Sequence, residues 1–481
     1  MPEETLPKER IPEGKSLRPD QLLGGRYGTY EMAEIWGPEQ TFEYSLRVQG
    51  QAAATLSRLH PDIIPNAAAK EIAEKATLRS ISAERIRELE AKLGHDVIAI
   101  NNALEEKLSS EAVIHVNKAR TSADTTQSAR ALQIKNALSI LADSIENLRD
   151  ITLEKAKSWR EIPHMDCTHL YDALPTVAGR PFVHYAEMLN SDLEVLAFFY
   201  NYSIRGKWSD ATGNHHSACA LNLNGIRLEE AYCKDLGIKH MIAAAQVPGL
   251  EFEADIFYVL SRTASTLDNL ARYIAWGRSD DVNIFVNQAP QKKKGSAAMP
   301  HKDIKNGNPT TEEQSVSIDN YSQGIMVTAL ANCEMPYARS LYASANSRIN
   351  LEGGFKFLDH GVRSLASTLY WLGLREERCK ERVLRSYGVV TAQQVMTYLT
   401  DQRRTSMPLP RSEAHDLTAR LATHAYNEKI QFTQVLLETP EITDRLTPET
   451  IREISDPLAY TGESKSIIDD AFKEFHNKRT L

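Results

Sequence analysis

From Thr126 to Trp159 the chain contains no glycine or proline, and the apolar residues Ile134, Leu138, Leu141, Ile145 and Leu148 recur at steps of four and three. That spacing puts them on one face of a single long amphipathic helix. Further candidates follow at 181–204, at 254–276 with Gly277 as a stop, at 309–332 before Pro336, and at 356–374. Helices of about 20 residues, each about 30 Å long, bury such stripes by packing side by side, so the middle of the chain is expected to be an elongated helical bundle.

The flanks read differently. Residues 1–20 are charged and punctuated by proline, which predicts a loose arm or one that wraps a partner. Residues 39–59 and 67–104 are rich in Ala, Glu, Leu, Arg and Lys and predict several short helices. After about Arg375, Pro408, Pro410, Pro440, Pro448 and Pro457 separate shorter helices again. The expected fold class is therefore all-α in three helical domains: 1–120, a central bundle at 121–374 with a loop at 277–309, and 375–481.

A net charge of −8 argues against a general nucleic-acid or acidic-membrane surface, while leaving room for a local basic pocket that takes one phosphate. The five cysteines include no C-x-x-C pair, so neither a disulfide framework nor a zinc site is expected, and a reducing cytoplasm suits them. The N-terminus has no apolar leader, and no run approaches the roughly 18 apolar residues of a membrane span. Neither export nor membrane insertion is expected.

Polar clusters interrupt the helical text: Gly94-His95-Asp96; His115 with Arg120-Thr121-Ser122-Ala123-Asp124; Asp166-Cys167-Thr168-His169; and Lys294-Gly295-Ser296-Ala297-Ala298-Met299-Pro300-His301-Lys302 with Asn308-Pro309. Singly, each has a structural reading. A histidine at a helix end caps it, Thr-Ser-x-Asp is an ordinary helix start, and Gly-Ser-Ala-Ala is a flexible linker. Residues 277–309 follow no apolar period, and so long an irregular connection is usually either functional or disordered. A basic cluster, Arg339 to Arg348 with serines between, and Arg26-Tyr27 match what phosphate or carboxylate recognition needs, although a salt-bridged surface would look the same.

Taken together, these residues resemble a known family. Gly295-Ser296 with Met299-Pro300 and Lys302 is similar to the signature loop of the fumarase and aspartase superfamily, and Thr168-His169 with Ala173 and Pro175 resembles its histidine element. Arg26-Tyr27 with Glu31-Met32 and Ile35-Trp36, Gly94 to Val97, Thr121-Ser122 with Asp124, and Arg339 followed by Ser344 and Arg348 resemble the adenylosuccinate lyase branch.

The resemblance implies a homotetramer with a twenty-helix core, active sites built from loops of three subunits, and β-elimination of fumarate from a small nucleotide substrate without metal or organic cofactor. It assigns Ser296 as general base and His169 as general acid, with Lys302 and the loop amides stabilising charge and Glu313 orienting the histidine. Arg26, Tyr27, Arg339, Ser344 and Arg348 would cradle the phosphate. His95, Thr121 and Ser122 would contact the substrate's phosphate and carboxylates and Gln246 its succinyl or purine part, with Asp96, Thr168, Met299 and Asn308 also binding substrate.

The chain departs from the pattern at Ala297, at the four residues Ile304 to Gly307 inserted before Asn308, and at Leu170-Tyr171-Asp172 after the histidine. Either Lys302 or Lys305 could then reach a carboxylate. Two alternatives stay open: a lyase or cycloisomerase of the superfamily acting on argininosuccinate, fumarate, aspartate or a carboxymuconate, and a non-catalytic relative of the lens-crystallin kind. The first would not need the arginine set, and the second would be expected to lose Ser296 or His169.

Overall fold

A computed structural model describes residues 26–37, 39–337 and 340–481. The charged arm expected at 1–20 and the candidate Arg339 lie outside the described residues. Five long helices form the body: Ser122–Ser158, Arg180–Tyr202, Glu251–Arg278, Thr310–Asn332 and Ser344–Tyr370. The first begins four residues before the expected Thr126, because the Thr121 N–H is satisfied by the Asp124 carboxylate at 2.8 Å and so starts the helix. Leu138, Leu141, Ile145 and Leu148 are fully buried, each contributing about 1.5–3 kcal/mol.

Three boundaries differ from expectation. Gly277 does not stop its helix; it lies inside, buried, where a β-carbon would stand 2.1 Å from the Phe285 ring. The fifth helix starts at Ser344 instead of 356, and its expected last turn is a strand, Leu372–Leu374, paired antiparallel with Phe285–Asn287. The stretch 277–309 is therefore ordered, with that strand and a 3₁₀ turn at Pro300–Lys305. A further hairpin, Pro163–Thr168 with Tyr171–Val177, was hidden by its polar residues.

Side-chain contacts give the helix directions. Lys155 Nζ donates to the Leu372 carbonyl at 2.7 Å, and Trp159, Phe182 and Phe285 meet in one aromatic cluster. The upper end of the bundle thus holds the ends of helices 122–158, 251–278 and 344–370, the starts of 180–202 and 310–332, the hairpin and the Ser296 loop. At the lower end, Arg130 reaches Glu253 at 3.1 Å and Ser347 at 3.0 Å, and Asn332 pairs with Asn346 at 2.8 Å. The 37-residue first helix separates the two ends by about 55 Å.

The short N-terminal helices share the main core with the bundle, and Thr29 bonds the buried Asp359, which also accepts from Ser144 at 2.6 Å. A second, separate core runs from Val395 to Ile454, after which the last helix, Ser464–Phe475, returns Ile468 and Ala471 to the main core.

Candidate active site

The Ser296 loop crosses the upper end. Gly295 backs onto Lys302 so closely that a β-carbon would lie 2.6 Å from the Lys302 carbonyl oxygen. Only glycine permits that approach, and it puts Lys302 beside Ser296. The Asp303 carboxylate closes the crossing, accepting the Gly295 N–H at 2.9 Å and the Lys294 ammonium at 2.8 Å, while Asn308 donates to the Gly295 carbonyl at 2.8 Å. Ser296 Oγ accepts the N–H groups of Ala298 at 3.2 Å and Met299 at 3.1 Å. Two converging donors favour negative charge on that oxygen.

The inserted residues hold this geometry. Asn306 is buried at φ +53°, accepts the Lys293 N–H at 2.9 Å, and donates to the carbonyls of Ala289 at 3.1 Å and Asn287 at 3.4 Å. Lys305 is committed to Asp280 at 2.5 Å. Lys302 makes no ion pair among the described residues, whereas Lys294 pairs with Asp303. On the following helix, Glu312 is buried against Arg278 at 2.6 Å, whereas Glu313 is exposed.

His169 occupies the exposed hairpin tip, in the two-residue turn between Thr168 and Tyr171. His169 and Leu170 both have positive φ, +53° and +66°, the pattern of a type I′ turn usually made by Asn-Gly. Holding two residues with β-carbons there costs on the order of 1–2 kcal/mol each. At the root of the hairpin, burial and then the Arg382 charge push His164 down to about 4, so it is neutral and structural.

The lower end gathers a second group. Thr121 and Ser122 start the long helix, whose free N–H groups favour an anion. Beneath them Asp124 forms a fully buried ion pair with Lys207 and accepts the Ser209 N–H at 3.2 Å. Residues 207–216, which sequence reasoning passed over, link this helix start to Gln246: Gly213, at φ +78°, lies so close to the 244–245 backbone that a β-carbon would be 1.8 Å from the Ala244 oxygen. The only advance signal was the Gly213-Asn214 breaker. Burial pushes Glu229 up to about 7 beside His215, whose Nε2 is 3.6 Å away. His115 is buried, lowered by burial and then by Lys118, and belongs to the core wall.

Helix 96–105 is fastened to the same end: Gln49 Nε2 donates to Asn101 at 2.8 Å and to Thr125 at 3.2 Å. His95 stands at the N-cap position of that helix with Nδ1 3.2 Å from Asp96, whose carboxylate accepts the Val97 N–H. Ser344 and the exposed Arg348 open the last bundle helix there. Arg26 is exposed, and Tyr27 packs edge-on against Phe357 and His360. Phe357 is nine residues beyond Arg348 on the same helix, about 14 Å along the axis.

The single chain thus sorts the candidates into an upper group, Ser296, Lys302, Met299, Asn308, Glu313, Thr168 and His169, and a lower group, Thr121, Ser122, His95, Asp96, Gln246, Ser344 and Arg348. Among the described residues no hydrogen bond joins His169 to Glu313 or Ser296. No group of three His, Cys, Asp or Glu side chains among them converges as a metal site would.

Comparison with known proteins agrees with the fold and motifs. Residues 25–318 match the family described as Lyase, and residues 388–471 match the one described as Adenylosuccinate lyase C-terminus. The chain belongs to this lyase family and, within the fumarase and aspartase superfamily, to its adenylosuccinate lyase branch. Curated relatives include the adenylosuccinate lyases of Methanocaldococcus jannaschii, 27% identical over 94% of this chain and 96% of that one, and Methanothermobacter thermautotrophicus, 29% identical over 93% and 97%. Among solved structures, the fumarate lyase of Mesorhizobium sp. BNC1 aligns with a TM-score of 0.79 at 20% identity, covering 93% of this chain and 98% of that one. The β-carboxy-cis,cis-muconate cycloisomerase of Acinetobacter calcoaceticus aligns equally well at 19%, covering 94% and 100%. These two likenesses define the fold alone.

Proposed function

We propose that this lyase cleaves adenylosuccinate to AMP and fumarate, and the related succinylaminoimidazole carboxamide ribotide to its carboxamide. The observation that carries the mechanism is the pair of N–H groups aimed at Ser296 Oγ beside an unpaired Lys302. A serine hydroxyl becomes a base only where its alkoxide is stabilised, and fixed amide dipoles with a nearby ammonium do this without reorganising. Ser296 removes the proton from the carbon next to a succinyl carboxylate. The donors that held the alkoxide then hold the charge spreading onto that carboxylate. His169 gives a proton to the nitrogen as the C–N bond breaks, and fumarate leaves. Loop closure excludes water from the step.

The substrate is bound across chains in this reading. Upper and lower groups about 55 Å apart meet only if neighbouring copies run antiparallel, which a homotetramer with shared sites provides. Phe198, Tyr258, Val327 and Leu330, apolar and exposed along the bundle helices, support such packing. The three-part division at 120 and 374 and a cytoplasmic location complete the proposal. Among the described residues, no helix is long and apolar enough to cross a membrane.

The test is absorbance loss on incubation with either nucleotide. Ser296→Ala and His169→Ala each abolish turnover with the fold intact, and a mixture of Ser296→Ala with Arg348→Ala regains activity through hybrid sites. An inert wild-type protein refutes the substrate; an active monomer refutes the shared site.

A further inference from the structure

The hairpin tip carries His169 and Leu170 at positive φ with neither glycine nor asparagine, and its side chains are largely exposed: Leu170 is 86% and Tyr171 78% accessible. A turn of that conformation persists only where its surroundings over-determine it. One rung below, at the Cys167–Asp172 pair, both oxygens of the Asp172 carboxylate are engaged. Arg385 donates Nε and Nη2 to Oδ2 at 3.0 and 2.7 Å, and Arg382 donates Nη2 to Oδ1 at 3.3 Å. Arg382, on the helix Glu376–Leu384, is buried and lies over the Trp276 ring at 5.6 Å. Trp276 belongs to the last turn of the helix that leads into the Ser296 loop. One arginine therefore ties the histidine hairpin to the helix that precedes the Ser296 loop.

We infer that Asp172, clamped by Arg382 and Arg385, is a positioning residue that fixes the hairpin tip and with it the direction in which His169 delivers its proton. The inference rests on the proposed acid role of His169. Asp172 touches no reacting atom; it holds the strand next to the turn against a buried guanidinium, so that the tip has one orientation. With Arg385 on one carboxylate oxygen and Arg382 on the other, the two charge-assisted contacts make that hold directional.

The experiment compares wild type with Asp172→Ala and Asp172→Glu. Amide exchange in residues 167–172 accelerates in Asp172→Ala while the thermal midpoint is kept. Its kcat falls roughly a hundredfold with KM nearly unchanged, as expected when a reacting group is misplaced by about an ångström. Asp172→Glu recovers part of that loss. Unchanged exchange in the hairpin overturns the clamp. Looser exchange with unchanged kcat, or an Asp172→Glu variant that recovers nothing, overturns the positioning role. Wild-type protein that does not cleave the nucleotide removes the functional reading instead, and the exchange arm still decides whether the clamp exists.

Discussion

Asn306 offers the sharpest test of how the loop is held. Asn306→Ala removes two hydrogen bonds of ordinary length, to the Lys293 N–H and the Ala289 carbonyl, and a longer one to Asn287. The first two contribute about 1 kcal/mol each and the third less. Alanine also loses asparagine's tolerance of φ +53°, adding roughly 1 kcal/mol. The sum, about 3 kcal/mol, shifts the loop toward open forms by roughly a hundredfold. Asn306→Gly keeps the backbone freedom and loses only the bonds, so it should lie between wild type and alanine. The readouts are the rate of proteolytic cutting within 288–305 and kcat on adenylosuccinate. The thermal midpoint should barely move, because these bonds lie outside the main core. An alanine variant cut at the wild-type rate with kcat within about twofold would refute the argument, as would a glycine variant worse than alanine.

Two further outcomes concern the buried charges. Lys207→Met leaves Asp124 unpaired and fully buried, so it should lose about 3–5 kcal/mol in urea unfolding, and Lys207→Met with Asp124→Asn should recover part of this; a loss of the single variant below about 1 kcal/mol would contradict it. Glu229, raised from 4.5 to about 7, contributes stability that is full below pH 4.5 and lost as pH rises to about 7, while His164, lowered from 6.5 to about 4, contributes stability that is full above pH 6.5 and lost as pH falls toward 4. Each effect reaches about 3 kcal/mol, and they oppose one another between pH 4.5 and 6.5. Glu229→Gln should therefore lose stability between pH 7.5 and pH 5 more steeply than wild type, and equal slopes would show that Glu229 is not held protonated.

Much of the bundle was legible because a helix writes its burial locally: Leu138, Leu141, Ile145 and Leu148 repeat within one stretch and their face follows from geometry alone. Boundaries were less legible. Gly277 carries the signal of a helix stop, yet the ring of Phe285, eight residues away on a strand, needs the space a side chain would fill. The hairpin at 163–177 was invisible for a related reason: His169-Leu170 is no turn sequence by propensity and persists where flanking contacts impose it.

Residue identities alone specified the chemistry-bearing set: a serine in a Gly-Ala loop, a Thr-His pair, a Thr-Ser helix start and spaced arginines, matching one family's motifs. They also defined the all-α class, since local periodicity is enough for that. Only the tertiary structure decided that Lys305 is taken by Asp280 while Lys302 is not, that Glu312 serves the fold and Glu313 is exposed, and that the four inserted residues supply the staple Asn306. It alone divided the candidates between opposite ends of the bundle. These outcomes depend on which groups distant in sequence meet through space, and side-chain pairing at that range leaves no periodic trace in the order of residues.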